Sequence, residues 1–172
     1  MSLSLILGDI TEFAAEAIVN AANPQLLCGG GVCGAIHAAA GPELTRACAE
    51  HVERHGPVET GSAAITGGFA LPASFVIHAV GPVWHGGIAD EPHLLASAYR
   101  VSVGLADSHA LASIAFPSIS TGIFGYPLEQ AAPIAIRAVA DAIAEAHHVH
   151  SATFVLFDAA TYEVYERALH TE

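Results

Sequence analysis

The stretch EAIVNAANPQLLCGGGVCGAIH (residues 16–37) decides how the rest of the chain is interpreted. A short apolar run ends at an Asn-Pro pair, which predicts a buried strand that stops near Ala21 or Ala22. Glycines follow, and a helical pattern begins at about Gly34. A strand, a glycine-rich loop and a helix in this order are typical of an α/β fold whose loop binds an anion.

Gly29, Gly31 and Gly34 fit the G-x-G-x-x-G template of dinucleotide-binding folds. That template needs its glycines directly after the strand and an acidic residue at the end of the next strand. Here residues 23–28 lie between the strand and the glycines. Glu50 and Glu53, about twenty residues further on, fall inside a predicted helix and not at the end of a strand. A Walker loop is excluded because the chain has no lysine. The remaining interpretation is a loop whose backbone N–H groups hold a phosphate, and the alternative is a glycine-rich loop without a ligand.

Cys28, Cys33 and His37 are residue types that bind zinc, but their spacing matches no common structural zinc pattern. Cys48 falls within the helical pattern and is predicted to be a small core residue. We therefore predict no metal site, with a zinc site as the less favoured alternative. Three cysteines cannot all pair, so a disulfide framework is not expected either.

The chain has 172 residues, 53% of them hydrophobic, and a net charge of −12 with only five basic residues, all arginine. We expect one domain over residues 1–172. The acidic balance argues against nucleic acid as a partner, because Lys and Arg supply most affinity for its backbone. No apolar run approaches the ~20 residues of a membrane span, and no signal peptide is recognisable, so we expect a cytoplasmic protein without a membrane partner.

Strands and helices alternate along the chain, which predicts an α/β protein: a three-layer α/β/α sandwich around a mixed, largely parallel sheet. The first two strands lie close together in sequence, and this is our reason to expect a mixed sheet. Pro42 should kink or divide the first helix. The predicted strands are 3–9, 16–23, 61–69, 74–82, 113–119 and 152–158, and the predicted helices are 34–55, 91–110, 128–148 and 162–170.

A second glycine-rich loop, SISTGIFG (118–125), also follows a strand and precedes a helix. Asp9 lies at the end of a third strand. The carboxyl ends of parallel strands are where α/β proteins bind ligands. Two such loops indicate a diphosphate.

Taken in order, several motifs resemble those of the macrodomain family, whose members bind ADP-ribose. The resemblance spans nearly the whole chain and is closest to the MacroD-like branch, which hydrolyses ADP-ribose from acidic side chains and deacetylates O-acetyl-ADP-ribose. Such a protein needs no cofactor, and its partners are ADP-ribose, ADP-ribosylated proteins or O-acetyl-ADP-ribose. The motifs are GDIT (8–11), AIVNAAN (17–23), GGGVCGAIH (29–37), AAGPEL (39–44), TGSAAIT (60–66), VIHAVGP (76–82), FPSISTGIFGYP (116–127) and FD (157–158).

The resemblance implies a role for each matching residue. Asp9 and the Ile10 backbone would read the adenine amino group, and Phe157 would pack on adenine, although it could equally be a core residue. Asn23 would bond the distal ribose, although Asn before Pro is ordinarily turn chemistry. Two loops would hold the distal ribose and the diphosphate. The first is Gly29, Gly30, Gly31 and Val32, and the facing loop is Ser120, Thr121, Gly122, Ile123, Phe124 and Gly125.

One position departs from the family. The hydrolytic branch has aspartate where this chain has Cys33, and that carboxylate lies near the attacking water. A neutral thiol is a poor general base, although a helix N-terminus favours the thiolate. We assign catalysis to Asn23 and Cys33 and leave open a reader that binds ADP-ribose without turnover. His37 is interpreted as a core histidine that bonds backbone.

Overall fold

Six β-strands and five α-helices lie along residues 1–171, the part of the chain that the computed structural model describes, and from β4 onward strands and helices alternate. A short 3-10 helix, Ile10–Glu12, follows the first strand. The strands are β1 (Ser2–Leu7), β2 (Ala17–Ala21), β3 (Ala63–Gly67), β4 (Phe75–Ala79), β5 (Ser113–Phe116) and β6 (Ser151–Leu156), and the helices are α1 (Gly31–Ala40), α2 (Pro42–His55), α3 (Glu91–Ser108), α4 (Leu128–Glu145) and α5 (Ala159–Thr171).

The strands form one sheet in the order β1-β6-β5-β2-β4-β3. All neighbouring pairs are parallel except β3 and β4, which are antiparallel. The mixed, largely parallel sheet is therefore confirmed, but our reason for it was wrong. β1 and β2 are separated by β6 and β5, and the antiparallel pair arises because the short connection 68–74 returns the chain beside β3.

The side chains of each strand divide between two apolar cores, as expected when successive side chains point to opposite faces. In β2, Ala17 and Val19 pack in the core under α3, α4 and α5, whereas Ile18 packs in the core under α1 and α2. The central strands are buried on both faces because helices cover both. This is the three-layer α/β/α arrangement that the alternation of elements predicted.

The helix predicted over residues 34–55 is two helices, α1 and α2. Gly41 has a φ of 90°, which breaks the helical path, and Pro42 starts α2 because proline is well tolerated in a first turn. α1 begins at Gly31, so the last glycine of the run is already part of the helix. The glycine-rich loop is thus the N-terminus of a helix.

The carboxyl ends of β1, β6, β5, β2 and β4 lie along one edge of the sheet because these strands are parallel. Beyond this edge β2 leads to α1 on one face, whereas the neighbouring β5 leads to α4 on the other. Adjacent strands whose connections leave toward opposite faces open a crevice between their loops, where α/β proteins bind ligands. The fold therefore places residues 22–33 and 117–127 on either side of a crevice.

The segment before α3 is folded around one carboxylate. Glu91 is 1% exposed, and it accepts hydrogen bonds from the backbone N–H groups of His85 (3.1 Å), Gly87 (2.6 Å) and Ala89 (2.5 Å). Burial by itself raises the pKa of this carboxyl, but the backbone N–H groups outweigh burial and hold the pKa below its usual value.

The same segment supports the crevice. The Trp84 backbone N–H donates to the Phe124 carbonyl at 2.8 Å, and the Trp84 ring lies 4.6 Å from the Tyr126 ring. The Glu91 carboxylate thus fixes the segment that braces residues 124–126.

Replacement of Glu91 by Gln should lower the melting temperature at pH 7 and reduce its dependence on pH. The Gln side chain would place an N–H group against backbone N–H donors. Because the pKa of Glu91 is depressed in the folded state, its stabilising effect is present above the unfolded value of 4.5 and is lost as pH falls through the folded value. Thermal unfolding from pH 3 to pH 7 measures both effects.

Glu129→Gln is the matched control, because Glu129 is exposed and pairs with Arg167 at 2.8 Å. An exposed ion pair contributes little to stability. A Glu91→Gln curve that coincides with the Glu129→Gln curve at every pH would contradict the role given to Glu91.

Candidate ligand-binding cleft

A cleft of about 710 Å³ opens at the carboxyl edge of the sheet. Its volume lies within the range of small-molecule sites. Every residue predicted for the site lines this cleft except Gly125, which lies in the turn behind it with its N–H donated to the Gly122 carbonyl. The predicted residues that line it are Asp9, Ile10, Asn23, Gly29, Gly30, Gly31, Val32, Cys33, Ser120, Thr121, Gly122, Ile123, Phe124 and Phe157.

The N-terminus of α1 forms one wall of the cleft. Gly30 is the N-cap residue and provides no side-chain cap, and the first N–H to find a helical acceptor is that of Gly34, which donates to the Gly30 carbonyl. The N–H groups of Gly31, Val32 and Cys33 thus have no acceptor within the helix. Unpaired backbone donors at a helix N-terminus attract an anion.

The loop of residues 118–125 forms the facing wall. Its Gly125 N–H and the following Tyr126 N–H are bonded within the turn, whereas the N–H groups of residues 120–124 have no acceptor among the described residues. Ser120 has a φ of 67°, uncommon for a residue other than glycine, and its buried hydroxyl has no partner among residues 1–171. The loop therefore presents a second row of backbone donors to the cleft.

Two close approaches involving glycine shape the part of the cleft between the two donor loops. A Cβ atom placed on Gly81 would lie 2.2 Å from the Ser120 Oγ, so only glycine lets the loop approach β4 so closely. Across the cleft, a Cβ atom placed on Gly30 would lie 3.6 Å from the Ile123 Cδ1, and the Ile123 side chain is 86% exposed. The two donor loops nearly meet above the cleft.

The opposite end of the cleft is formed by residues that follow β1 and β6 in the chain, among them Asp9 and Phe157. Phe157 is 82% exposed, which rules out the alternative that it belongs to the core. The Asp9 Oδ1 accepts from the Thr11 N–H at 2.9 Å and the Thr11 hydroxyl at 2.7 Å, so this carboxylate caps the 3-10 helix. Asp9 and Asp158 are the only charged residues among those described that line the cleft. Any anion held here must be bound mainly by backbone.

Asn23 closes the turn that follows β2. Its Oδ1 accepts from the Leu27 N–H at 3.0 Å, and its Nδ2 donates to the Leu27 carbonyl at 2.9 Å. This is the turn chemistry expected of Asn before Pro, yet the residue also lines the cleft. Each end of the amide can make one further hydrogen bond, because Nδ2 has a second hydrogen and Oδ1 a second lone pair.

Cys33 is 5% exposed and lies in the first turn of α1. Its thiol donates to the Leu27 carbonyl at 3.6 Å and accepts from the Asn20 Nδ2 at 3.6 Å. Both contacts fit a neutral thiol, which can donate once and accept weakly. The loop that carries Asn23 therefore also holds the thiol.

A buried polar chain, Asn20–His78–Thr66, continues behind Cys33. Asn20 and His78 are register partners in β2 and β4, and the Asn20 Nδ2 lies 3.1 Å from the His78 Nδ1. Since an amide nitrogen only donates, the His78 Nδ1 accepts, and the His78 Nε2–H is left to donate to the Thr66 hydroxyl at 2.9 Å. Burial, with a smaller effect of His37 and His51, lowers the pKa of His78 to about 3. His78 is neutral at pH 7.

Cys48 and His37, in the layer formed by α1 and α2, were predicted to be core residues. Cys48 is buried as expected, with its Sγ 3.7 Å from the His78 Nε2. His37 is also buried, which lowers its pKa, but its Nδ1 pairs with the Thr45 hydroxyl at 3.2 Å. The expected bond from His37 to backbone was wrong, because α2 packs against α1 and brings a hydroxyl to the imidazole.

Sequence reasoning missed several residues that line the cleft. The buried pair Asn20 and His78, which lies behind the cleft, was missed as well. A single polar residue within an apolar strand, as in IVNA and VIHA, is a sequence signal for such a buried network. Asp158 was quoted but given no role, although its Oδ1 accepts the Thr161 N–H at 2.8 Å at the start of α5. The other missed lining residues are Gly8, Ala21, Ala22, Ala35, Gly81, Pro117, Ser118, Ile119, Val155, Leu156 and Thr161.

A second cleft of about 590 Å³ lies between α3 and α4 and is lined by Arg100, Asp107, Asp141 and Glu145 among others. It contains no glycine-rich loop and lies away from the carboxyl edge of the sheet. Within residues 1–171 no three His, Cys, Asp or Glu side chains are grouped so as to hold a metal ion. In the same range, no helix has both the length and the apolar character that a membrane crossing requires.

This α/β/α fold with its two donor loops defines a class of protein, and sequence comparison gives the same class. The Macro domain family model matches residues 19–135. A macro domain-containing protein of Chlorobaculum tepidum is 55% identical over 164 residues, which cover 95% of this chain and 93% of that protein. The chain belongs to the macro domain family.

Similar proteins include one with a named activity and others with bound nucleotides. A protein named O-acetyl-ADP-ribose deacetylase from Klebsiella pneumoniae is 52% identical over 165 residues, 96% of this chain and 94% of its own. The Oceanobacillus iheyensis macrodomain with ADP superposes with a TM-score of 0.92 at 45% identity, covering 97% of this chain and 89% of that one. The Trypanosoma brucei macrodomain in complex with ADP-ribose has a TM-score of 0.88 at 39% identity, covering 97% and 68%.

Replacement of Gly34 by Ala should distort the glycine-rich loop. A Cβ atom at this position would lie 2.6 Å from the Gly29 carbonyl oxygen, a backbone atom that can move only if the loop moves. We expect a lower melting temperature and shifted amide resonances across residues 28–33 in a ¹⁵N correlation spectrum.

Gly104→Ala is the control, since Gly104 lies in α3 with open space around it. This change should raise stability by roughly 1 kcal/mol through helix propensity and leave those resonances in place. If both variants left residues 28–33 unshifted, the close approach at Gly34 would not control the loop.

Proposed function

We propose that this protein binds ADP-ribose in the cleft and hydrolyses an ester bond on the distal ribose. The observation that carries the proposal is the pair of backbone donor rows, at residues 31–33 and 120–124, on facing walls of one cleft. Their N–H groups have no acceptor in the part of the chain that the structure describes. A diphosphate has oxygens on both sides and fits between two such rows. Adenine then lies toward Phe157 and Asp9, and the distal ribose lies toward Asn23.

The acidic charge of the chain is consistent with this mode of binding. Backbone N–H groups hold phosphate without Lys or Arg, so little counterion release accompanies binding. The exposed Phe157 ring gives an apolar face on which a base can stack. The second carboxylate oxygen of Asp9 has no hydrogen-bond partner within the described residues and can accept from the adenine amino group.

The named relatives support the reaction class. The Klebsiella relative is named O-acetyl-ADP-ribose deacetylase, and at 52% identity over nearly the whole chain its chemistry is a sound expectation for this one. We propose two substrates of one kind, O-acetyl-ADP-ribose and ADP-ribose linked to acidic side chains of proteins. In each, water cleaves an ester bond and a carboxylic acid leaves.

The chemistry relies on positioning more than on a strong base. The donor rows fix the diphosphate, and the second hydrogen of the Asn23 amide orients a hydroxyl of the distal ribose. Backbone donors are also suited to stabilise negative charge that develops on oxygen during the attack of water. A phosphate oxygen of the substrate can accept the proton of that water.

In this proposal Cys33, which lines the cleft, takes the position at which the resemblance to macrodomains implies a carboxylate beside the attacking water. As a neutral thiol donating to Leu27 it orients water or a ribose hydroxyl only weakly. The Asn20 Nδ2, at 3.6 Å, is a ready donor to a carboxylate in place of the thiol. We therefore expect this chain to turn over slowly.

Two assays on the wild-type protein test the proposal. Calorimetry measures ADP-ribose affinity at low and high salt, and chromatography measures ADP-ribose released from a protein modified on glutamate and acetate released from O-acetyl-ADP-ribose. We expect binding with weak salt dependence and measurable release. Binding without release would make the protein a reader, and failure to bind would refute the proposed function.

Replacement of Cys33 by Asp should increase turnover by about tenfold or more, because general-base catalysis typically contributes a factor of about 10² to 10⁴. Cys33→Ser should keep most of the wild-type rate, since a hydroxyl makes the same weak contacts. The rates of ADP-ribose release under saturating substrate decide between these outcomes.

Cys28→Asp is the matched control, because Cys28 lies on the same loop but is exposed and does not line the cleft. It should leave the rate unchanged. If Cys33→Asp bound ADP-ribose but released it no faster than wild type, while Cys33→Ser was inactive, Cys33 would be a working thiolate and our assignment would be wrong.

A further inference from the structure

Two buried phenols lie beneath the floor of the cleft. Tyr99 of α3 and Tyr165 of α5 are both fully buried. The Tyr99 hydroxyl accepts the Ile119 N–H at 2.9 Å, and the Tyr165 hydroxyl lies 2.9 Å from the Ser118 Oγ. Residues 117–119 are thus held from below by side chains of two helices.

The direction of these hydrogen bonds can be assigned. Burial raises the pKa of both phenols, with a further contribution of Tyr165 at Tyr99, so each carries its proton at pH 7. Tyr165 can donate to Ser118 at 2.9 Å or to Tyr99 at 3.5 Å, and the shorter contact is the stronger. Tyr99 has the Pro117 carbonyl at 3.4 Å as its own acceptor. Tyr165 therefore donates to Ser118.

Ser118 also receives a hydrogen bond from the other side. The Thr121 hydroxyl lies 2.8 Å from the Ser118 Oγ and 3.2 Å from the Ser118 carbonyl. When Thr121 donates to Oγ, both lone pairs of that oxygen are filled, and the Ser118 proton has no acceptor among residues 1–171. When Thr121 donates to the carbonyl, Ser118 donates back to Thr121. A ligand oxygen beside Ser118 would select the first arrangement.

Ser118 lies within the cleft, between the end at Phe157 and the end formed by the two donor rows. Ser118 lines the cleft, and so does Thr161, which lies one helical turn before Tyr165 on α5 and follows Phe157 closely in the chain. Ser118 is also hydrogen-bonded to Thr121, the second residue of the donor row 120–124. Ser118 thus lies between the aromatic end and the diphosphate end.

We propose that Ser118 is a specificity-determining residue that donates a hydrogen bond to a hydroxyl of the ribose attached to adenine. This inference rests on the proposed function, which places adenine at Phe157 and the diphosphate between the donor rows. The ribose that joins them then lies beside Ser118. Hydrogen bonds donated to Ser118 by Tyr165 and Thr121 polarise its hydroxyl and strengthen the bond it donates.

The test compares ADP with 2′-deoxy-ADP and 3′-deoxy-ADP on the wild-type protein and on Ser118→Ala, by calorimetry. We expect Ser118→Ala to weaken ADP binding by about 3- to 10-fold, as expected for one hydrogen bond. The deoxy analogue that lacks the bonded hydroxyl should bind the wild-type protein correspondingly less tightly. That analogue should bind the two proteins equally.

Two further variants separate a contact with the ligand from a change in the loop. Ser113→Ala removes a serine hydroxyl at the start of β5, the strand that precedes Ser118. The Ser113 Oγ accepts the Glu16 N–H at 2.9 Å outside the cleft, so this change should leave all three affinities unchanged. The double variant Ser118→Ala, Tyr165→Phe removes the Tyr165 hydroxyl together with the Ser118 hydroxyl that accepts its hydrogen bond. No buried donor is then left unpaired by the loss of Ser118. It should show the same selective loss as Ser118→Ala.

The outcomes distinguish this inference from the proposed function. Equal loss for ADP and both deoxy analogues would mean that Ser118 acts only by supporting the loop, and this would overturn the inference. Unchanged ADP affinity in Ser118→Ala would overturn it as well. Failure of the wild-type protein to bind ADP or ADP-ribose would instead refute the proposed function on which the inference rests.

Discussion

The short pairing of β2 with β5 is the constraint on which the cleft depends. The two strands are in register only at Ala17 with Ile114 and Ile18 with Ala115. Beyond these pairs β2 remains bonded to β4, while the chain after β5 turns toward the opposite face of the sheet. The space between the separating strands is where two glycine-rich loops can face each other, so the ligand site follows from the sheet topology.

Glycine is needed at particular points because the walls of the cleft approach other backbone closely. Gly34 allows α1 to lie against the Gly29 carbonyl, and Gly81 allows the Ser120 side chain to pack against the end of β4. The dinucleotide template includes Gly34 but misses the reason for it in this chain. Here that glycine lets the Gly29 carbonyl approach the first turn of α1, whose N–H groups at residues 31–33 have no acceptor among the described residues.

The layers beneath the cleft use buried polar groups rather than apolar packing alone. On the α1–α2 side, the Asn20 amide, itself bonded to His78, holds the Cys33 thiol. On the α3–α5 side, Tyr99 holds Ile119 and Tyr165 holds Ser118. Buried hydrogen bonds are strong where water is excluded, and they fix one arrangement of side chains. Each wall of the cleft is thus positioned by its own network.

The sequence by itself determined the fold class and the order of elements, because hydrophobic periodicity and glycine-rich turns are local signals. The individual site residues, such as Asp9, Asn23 and Phe157, followed from the resemblance to macrodomains. The sequence also indicated that an anion must be held by backbone, since that follows from charge composition. The tertiary structure alone decided that β3 and β4 form the antiparallel pair, that Phe157 is exposed, and that Ser118 bonds Tyr165. These depend on contacts between residues far apart in the chain, such as Ser118 and Tyr165, which no local pattern encodes.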